Sequence, residues 1–316
     1  MLSRSNRCRR ATRATSGDPA PSNPDVRLRS RRGLSGHKWI TLNELPLYQL
    51  CRPQADRLTA AKARHNGHLL MSGIHPLRTL LHPPSAAQLA AVSALDLDDF
   101  PRAGAQRFPS ALIPCLTDIL QVLEPIGATA AGKRLHQVEG LDAFLGASGC
   151  IGAIASEVLG QEARPVRAIL FNKSAETNWA LGWHQDRTIC VKERRDTPGF
   201  GPWTVKAGMV HVAPLIELLA GMVTLRAHLD VVPATNAPLM IAPGSHRLGR
   251  IPESQISAVV NKCGTSICAA DAGDVWLYST PILHASDAAT FPRSRRVLQV
   301  DYAAASLPDG LEWLGI

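Results

Sequence analysis

The stretch MVTLRAHLD, residues 222–230, decides the fold class, because its apolar and polar residues alternate one by one. One set of alternate positions holds Val223, Leu225, Ala227 and Leu229, and the other holds Thr224, Arg226, His228 and Asp230. Residues i and i+2 of a β-strand project from the same face of the sheet. The stretch therefore predicts a strand with one face on an apolar core.

Other stretches on both sides of this strand give the architecture. VRAILFN (166–172), DVWLYST (274–280) and RRVLQVDYA (295–303) predict further strands, with a turn at Gly273 and Asp274 before the second. Between residues 111 and 160 the apolar spacing is helical instead, with stripes at Leu112, Leu116, Ile119, Leu120 and Leu123 and at Ile151, Ile154 and Val158. Many short strands without βαβ alternation favour an antiparallel sandwich or barrel, with the helices packed on its outside.

Charge and composition exclude several classes of protein. The net charge is +8, but residues 1–33 hold nine arginines against Asp18 and Asp25, so the rest of the chain is almost neutral. We therefore expect no nucleic-acid-binding surface. No apolar run approaches the roughly 18 residues of a membrane span, so we expect none. Seven cysteines without a C-x-x-C pair favour a reducing compartment.

The chain divides into three parts by composition. Residues 1–35 are rich in Arg, Ser and Pro and predict a disordered basic arm. Residues 36–110 are ambiguous and partly helical, with a capping-box pattern from Ser85 to Gln88. Residues 111–316 form the predicted main domain. We expect a cytoplasmic protein; an organellar transit peptide at the Arg-rich start is the alternative.

A candidate metal site lies in WHQD, residues 183–186, where His184 and Asp186 share one face of a predicted strand. A third ligand could come from His211, His228, His246 or His284. We favour His284, which follows one predicted strand and precedes another that Arg293, Arg295 and Arg296 open. Two histidines and a carboxylate are the facial triad of non-haem Fe(II) oxygenases. The pair His228 and Asp230 has the same spacing and is the competing interpretation.

Three motifs together resemble the phytanoyl-CoA dioxygenase family of Fe(II)/2-oxoglutarate-dependent oxygenases. They are NWALGWHQD (178–186), LMIAPGSHR (239–247) and GDVWLYSTPILHAS with RSRRVLQVDYA (273–286 and 293–303). The resemblance implies a mostly β fold with flanking helices, a double-stranded β-helix or jelly roll. It also implies a dioxygenase that uses Fe(II), 2-oxoglutarate and O2 to hydroxylate a small-molecule substrate, with succinate and CO2 as coproducts.

The resemblance also implies roles for individual residues. His184, Asp186 and His284 would hold the metal, and Ser286 and Arg295, two and eleven residues after His284, would hold the far carboxylate of 2-oxoglutarate. A guanidinium suits that role because it binds a carboxylate through two parallel hydrogen bonds. Strand alternation places Arg296 on the opposite face, and Arg293 lies in the turn.

Two further pairs are candidates for contacts in the same site. Asn172 and Lys173 end a predicted strand where the family often supplies polar contacts to the cosubstrate. Trp203 and Lys206 lie in the Gly-rich insertion GFGPWTVKAG, residues 199–208, and are candidates for substrate contacts.

Departures from the family and alternative functions are also part of the prediction. Residues 1–110 match no part of the family, and Ala288 and Ala289 stand where an asparagine is frequent. One alternative is a Zn-dependent hydrolase on the same three ligands, which gives Arg295 no role. Another is a non-catalytic jelly-roll binding protein, which would form no succinate. A carboxylate at Asp186 favours hydroxylation over halogenation, because related halogenases have a small residue there.

Overall fold

A computed structural model describes residues 99–126 and 131–316. The predicted basic arm and the predicted helix after Ser85 lie outside the described residues. Six α-helices are described: α1 Phe100–Ala103, α2 Leu116–Leu123, α3 Asp142–Leu145, α4 Gly152–Leu159, α5 Ile216–Ala220 and α6 Ile256–Cys263. Short 3-10 helices cover Glu124–Ile126, Ser245–Leu248 and Glu253–Gln255.

Thirteen strands are described in the same ranges. The first seven are β1 Ala105–Phe108, β2 Gly132–Leu135, β3 Arg164–Lys173, β4 Leu181–His184, β5 Ile189–Val191, β6 Trp203–Lys206 and β7 Met209–Val212. The others are β8 Met222–His228, β9 Leu239–Ile241, β10 Ser266–Cys268, β11 Val275–Ser279, β12 His284–Ser286 and β13 Arg295–Ala303. The four strands predicted from their apolar pattern are present, but the strand predicted through His184 and Asp186 ends at His184, so Asp186 follows β4.

The strands form three antiparallel sheets. The main sheet has the order β1-β11-β8-β13-β3-β2, a second sheet has the order β10-β9-β12-β4, and a third has the order β5-β7-β6. Neighbours in the main sheet are far apart along the chain: β8 lies between β11 and β13. This confirms the predicted mostly β jelly roll with flanking helices. The main sheet also includes β1, which pairs with β11 and precedes residue 111.

The main apolar core lies between the outer face of the main sheet and the helices that precede β3. Leu225, Leu277, Leu298 and Val300 of the sheet belong to one buried cluster with Ile119 and Leu123 of α2, Leu145 of α3 and Ile154 of α4. The helical stripes predicted between residues 111 and 160 are therefore confirmed as packing surfaces. Their burial removes apolar area from water, at about 25 cal/mol per Å².

The opposite face of the main sheet is polar, yet it is buried too. Every residue of β8 is buried, including Thr224, Arg226 and His228. Arg167, Gln299 and Asp301 on the neighbouring strands are also buried. Because buried polar groups must find partners, this inner face forms hydrogen-bond networks, and it faces the cavity described below.

Two further features bear on the sequence-based expectations. Cys115 and Cys150 form a disulfide that links the starts of α2 and α4, whereas Cys190, Cys263 and Cys268 are free thiols. Within residues 99–126 and 131–316, no helix is long and apolar enough to cross a membrane.

Candidate metal centre and cosubstrate cavity

The second sheet brings His184, Asp186 and His284 together. His184 ends β4, His284 begins β12, and the two residues are direct partners in the register of these antiparallel strands. Their rings are 4.2 Å apart between centroids. One potential ligand atom from each of the two histidines and from Asp186 lies within 4.8 Å of the others. Residues 100 positions apart in sequence thus form one compact cluster.

The two imidazoles are oriented by backbone carbonyls. Nδ1 of His184 lies 2.7 Å from the carbonyl of Gly182, and Nδ1 of His284 lies 3.0 Å from the carbonyl of Ile282. If each Nδ1–H donates to its carbonyl, each Nε2 keeps a lone pair for a metal. Nε2 of His184 is buried and has no hydrogen-bond partner in the described part of the chain.

Electrostatics favour the protonation states that a cation requires. Burial, followed by repulsion from His184, lowers the pKa of His284 to about 3, so its imidazole is neutral. Burial alone would raise the pKa of Asp186, but attraction to Arg167 and to the two histidines holds it below its usual value. Two imidazoles and one carboxylate are a suitable donor set for a divalent cation of the first transition row.

Arg167 supports the carboxylate of the cluster. Its Nη2 donates to Asp186 Oδ2 at 3.3 Å, and its Nε donates to Asp301 Oδ2 at 2.5 Å. Thr224 donates a further hydrogen bond of 3.1 Å to Asp301. This network holds Asp186 in position from the inner face of the main sheet.

The three other histidines considered as ligands lie outside the metal cluster. His228 is buried on β8, but its sequence neighbour Asp230 pairs with Arg296, whose Nη2 lies 2.6 Å from Asp230 Oδ1. His211 lies on β7 with its Nδ1 2.9 Å from the carbonyl of Met209. His246 lies in the 3-10 helix Ser245–Leu248. The structure therefore assembles the predicted triad and not the competing pair.

A cavity opens beside the cluster, between the main sheet and the second and third sheets. It is lined by Arg134, Arg167, Ile169, Phe171, Lys173, Trp179, Leu181, Asp186, Thr188, Lys206, Arg226, Leu239, His284, Ala285, Ser286, Arg295 and Gln299. Six of these residues are basic and Asp186 is the one acidic residue among them. The cavity is therefore suited to anionic ligands.

Arg295, Ser286 and Lys173 meet at one end of the cavity. The Lys173 ammonium donates to Ser286 Oγ at 3.1 Å and to the carbonyl of Trp179 at 2.8 Å, and it lies 4.5 Å from the centre of the Trp179 ring. Arg295 is paired with Lys173 in the register of β13 and β3 and donates to the carbonyl of Ala237. No carboxylate of the described residues forms an ion pair with either cation.

Burial and mutual repulsion disfavour the charged forms of Lys173 and Arg295. Burial, followed by repulsion from Arg295 and Arg226, lowers the pKa of Lys173 to about 7. Burial, followed by repulsion from Arg226, also lowers the pKa of Arg295. A bound carboxylate would relieve both effects, because it would replace the lost hydration with opposite charge.

Strand alternation separates the paired candidates from the sequence. Lys173 and Lys206 line the cavity, whereas Asn172 and Trp203 do not. Asn172 is adjacent to Lys173 on β3, and Trp203 is three residues from Lys206 on β6, so each lies on the opposite face from its partner. Trp203 packs instead against the apolar cluster that contains Val191 and Val212.

Sequence reasoning missed several of the cavity residues. Arg134, Arg167, Arg226 and Gln299 come from four different strands and carry no local motif. Arg226 donates to Gln299 Oε1 at 2.8 Å, which fixes both side chains at the cavity wall. The signal that could have found Arg167, Arg226 and Gln299 is their position on the polar, inward face of strands that are buried on both sides, whereas Arg134 lies on the partly exposed edge strand β2.

The fold is similar to several solved structures of low sequence identity. EctD from S. alaskensis in its apo form is 18% identical, with 75% of this chain and 83% of that chain covered and a TM-score of 0.49. The non-haem alpha-ketoglutarate-dependent carbocyclase SnoK from nogalamycin biosynthesis is 16% identical, with 69% and 90% covered and a TM-score of 0.48. HygX from Streptomyces hygroscopicus with nickel and 2-oxoglutarate bound is 15% identical, with 66% and 87% covered and a TM-score of 0.47.

Sequence comparison finds one similar family. No curated protein matches the chain significantly. The sequence profile of the phytanoyl-CoA dioxygenase family matches residues 143–297, a range that contains His184, Asp186, His284 and Arg295. Over these residues, just under half of the chain, the sequence is similar to the phytanoyl-CoA dioxygenase family.

Proposed function

We propose that this protein is an Fe(II)/2-oxoglutarate-dependent dioxygenase that hydroxylates a small organic molecule. In the overall reaction, 2-oxoglutarate, O2 and a substrate C–H bond would give succinate, CO2 and the hydroxylated product. The observation that supports this most is the position of the metal cluster and of Arg295 in one cavity. A metal site and a separate buried cation are what a 2-oxo acid with a distant carboxylate requires.

The residues of the cluster fit a single iron. His184 and His284 would each contribute Nε2, and Asp186 would contribute a carboxylate oxygen, which leaves part of the coordination sphere for exogenous ligands. When bound, iron would supply the redox chemistry that couples oxidation of 2-oxoglutarate to oxidation of the substrate. The buried Nε2 of His184, which has no hydrogen-bond partner among the described residues, supports a ligand at this position.

The residues at the other end of the cavity would bind and orient the cosubstrate. Arg295, only 2% exposed, would place its guanidinium against the far carboxylate, with the Ser286 hydroxyl and the Lys173 ammonium beside it. Charge-assisted hydrogen bonds of this kind are about twice as strong as neutral ones. Burial also excludes water, so the contacts fix the orientation of 2-oxoglutarate before the substrate reacts.

An anaerobic titration tests the proposal. Purified protein with one equivalent of Fe(II) should develop a weak visible charge-transfer band when 2-oxoglutarate is added, because bidentate chelation of iron by the 2-oxo acid produces it. Admission of O2 should then yield succinate. A Zn-dependent hydrolase would show neither result and would be active without oxygen, and a non-catalytic binding protein would form no succinate even with Fe(II) bound.

A further inference from the structure

The end of the cavity that Arg295, Ser286 and Lys173 line is here called the cosubstrate end. The cavity holds a second group of cations, separate from it. Arg134, Arg167 and Lys206, here called the distal cations, line it near Asp186. The charges that act on Lys206 come from Arg134, Arg167 and Asp186, and those on Arg134 come from Arg167, Cys190 and Asp186. Those on Lys173 come instead from Arg295, Arg226 and Asp287. Arg167 and Lys173 are six residues apart on β3, which corresponds to roughly 20 Å. The two groups therefore lie on opposite sides of the cavity.

Two of the distal cations, Arg167 and Arg134, differ in how protein groups neutralise them. Arg167 uses its guanidinium on Asp186 and Asp301. Arg134 forms no hydrogen bond and no ion pair with any described residue, and its Nε is buried without a partner. An unpaired, half-buried guanidinium is costly, because it loses hydration without gaining a partner. Such a group points to a ligand that supplies the missing acceptor.

A second unsatisfied polar atom lies in the same region. Lys206 and Thr204 are two residues apart on β6 and share one face of the third sheet. The hydroxyl of Thr204 is buried and has no hydrogen-bond partner in the described part of the chain. A hydroxyl can donate a hydrogen bond to an anion, and Thr204 is on the strand face that carries Lys206 to the cavity, although Thr204 itself does not line it.

We infer that the primary substrate is an organic anion whose carboxylate or phosphate group binds at Arg134 and Lys206. This inference deepens the proposed function and rests on it only for the identity of the reaction. The cosubstrate end would already hold the far carboxylate of 2-oxoglutarate, so the unpaired Arg134 is left for the substrate. Ile169 and Leu181 also line the cavity and provide apolar contacts for the carbon skeleton. Anion binding at Arg134 would thus fix which carbon of the substrate faces the metal cluster.

Calorimetry with matched probes tests the inference. Protein with Fe(II) and saturating 2-oxoglutarate would be titrated anaerobically with hexanoate, hexyl phosphate and the neutral isostere hexanamide. At least one of the two anions should bind about tenfold or more tightly than hexanamide, since each charge-assisted hydrogen bond is worth roughly that factor. The anion with the higher affinity identifies the substrate as a carboxylate or a phosphate ester.

Variants at two adjacent positions supply the control. Arg134→Gln should abolish the preference for anions, Arg134→Lys should keep part of it, and Lys133→Gln should keep all of it, because Lys133 is exposed on the other face of β2. All three should bind 2-oxoglutarate within about twofold of the unmodified protein.

The possible failures separate the two proposals. Equal binding of hexanamide, no binding of any probe, or an unchanged anion preference in Arg134→Gln would overturn the anion site. If the unmodified protein does not bind 2-oxoglutarate, the proposed function is overturned instead. In that case the same three probes, titrated into protein with Fe(II) alone, would still report on Arg134.

Discussion

The guanidinium of Arg167 lies 3.3 Å from the carboxylate of Asp186 and so connects a candidate metal ligand to the inner face of the main sheet. Arg167 is fixed in turn by Asp301, at 2.5 Å, on the neighbouring strand β13. Burial opposes its charge, but attraction to Asp301 and Asp186 is stronger and raises the pKa of Arg167 above its usual value. The metal cluster is therefore supported by a buried ion-pair network and not by local chain geometry alone.

Replacement of Arg167 tests this support. Arg167→Gln should weaken Fe(II) affinity by about 10- to 100-fold, because the orientation of Asp186 is no longer fixed. It should also lower the free energy of unfolding by about 3 to 5 kcal/mol, since Asp301 stays buried without its cation. Metal titration and urea unfolding measure the two effects. Arg296→Gln, which breaks the more exposed pair with Asp230, is the control and should leave Fe(II) affinity unchanged.

The assignment of the carboxylate ligand can be tested against its competitor. Asp186→Ala should abolish stoichiometric Fe(II) binding and succinate formation, because it removes one of the three ligands, while Arg167 keeps Asp301 as a partner. Iron content and far-UV circular dichroism check both points. The double variant His228→Ala, Asp230→Ala should retain iron, and the assignment is wrong if that variant loses iron while Asp186→Ala keeps it.

The role of Arg295 can be separated from that of its neighbour. Arg295→Ala should weaken 2-oxoglutarate binding by about a hundredfold or more, because two charge-assisted hydrogen bonds of roughly 1.5 to 3 kcal/mol each are lost. Arg296→Ala should have little effect, since Arg296 pairs with Asp230 on the other strand face. Titration of the visible band in each variant measures the affinities. Equal behaviour of the two variants would contradict the assigned role.

Short-range patterns predicted the strands and the pair His184 and Asp186, whereas the jelly roll and the complete triad were implied by the resemblance to the family. Alternation in residues 222–230 identified a strand, and His184 with Asp186 is a motif within three residues. His284 was selected from four histidines by its place between two predicted strands, and the register of β12 and β4 sets it opposite His184.

The remainder of the site depends on long-range pairing that no local pattern encodes. Arg134, Arg167 and Arg226 lie on β2, β3 and β8, and only the strand order of the main sheet brings them to one cavity. Asn172 and Trp203 were predicted as site residues but do not line the cavity, because a short motif does not show which of two nearby residues faces inward. A shift of one residue in the register of a strand moves every side chain to the opposite face of the sheet.

The lowered pKa of Lys173 predicts a pH dependence of cosubstrate binding. Its ammonium faces Arg295 on β13, Arg226 on β8, and Ser286 and Asp287 at the end of β12; burial and the two guanidinium groups lower its pKa to about 7. Lys173 is therefore charged below pH 7 and neutral above it in the free protein, whereas a bound carboxylate favours the charged form and raises this pKa. Binding of 2-oxoglutarate should then be tightest below pH 7. As the pH rises from 7 toward the pKa of the complex, the dissociation constant should increase by up to about tenfold per pH unit.

Titrations of the visible band between pH 6 and 9 measure the profile. Lys173→Met should bind more weakly at pH 6 and show an almost flat profile, and a profile that keeps the same slope in this variant would show that another group is responsible.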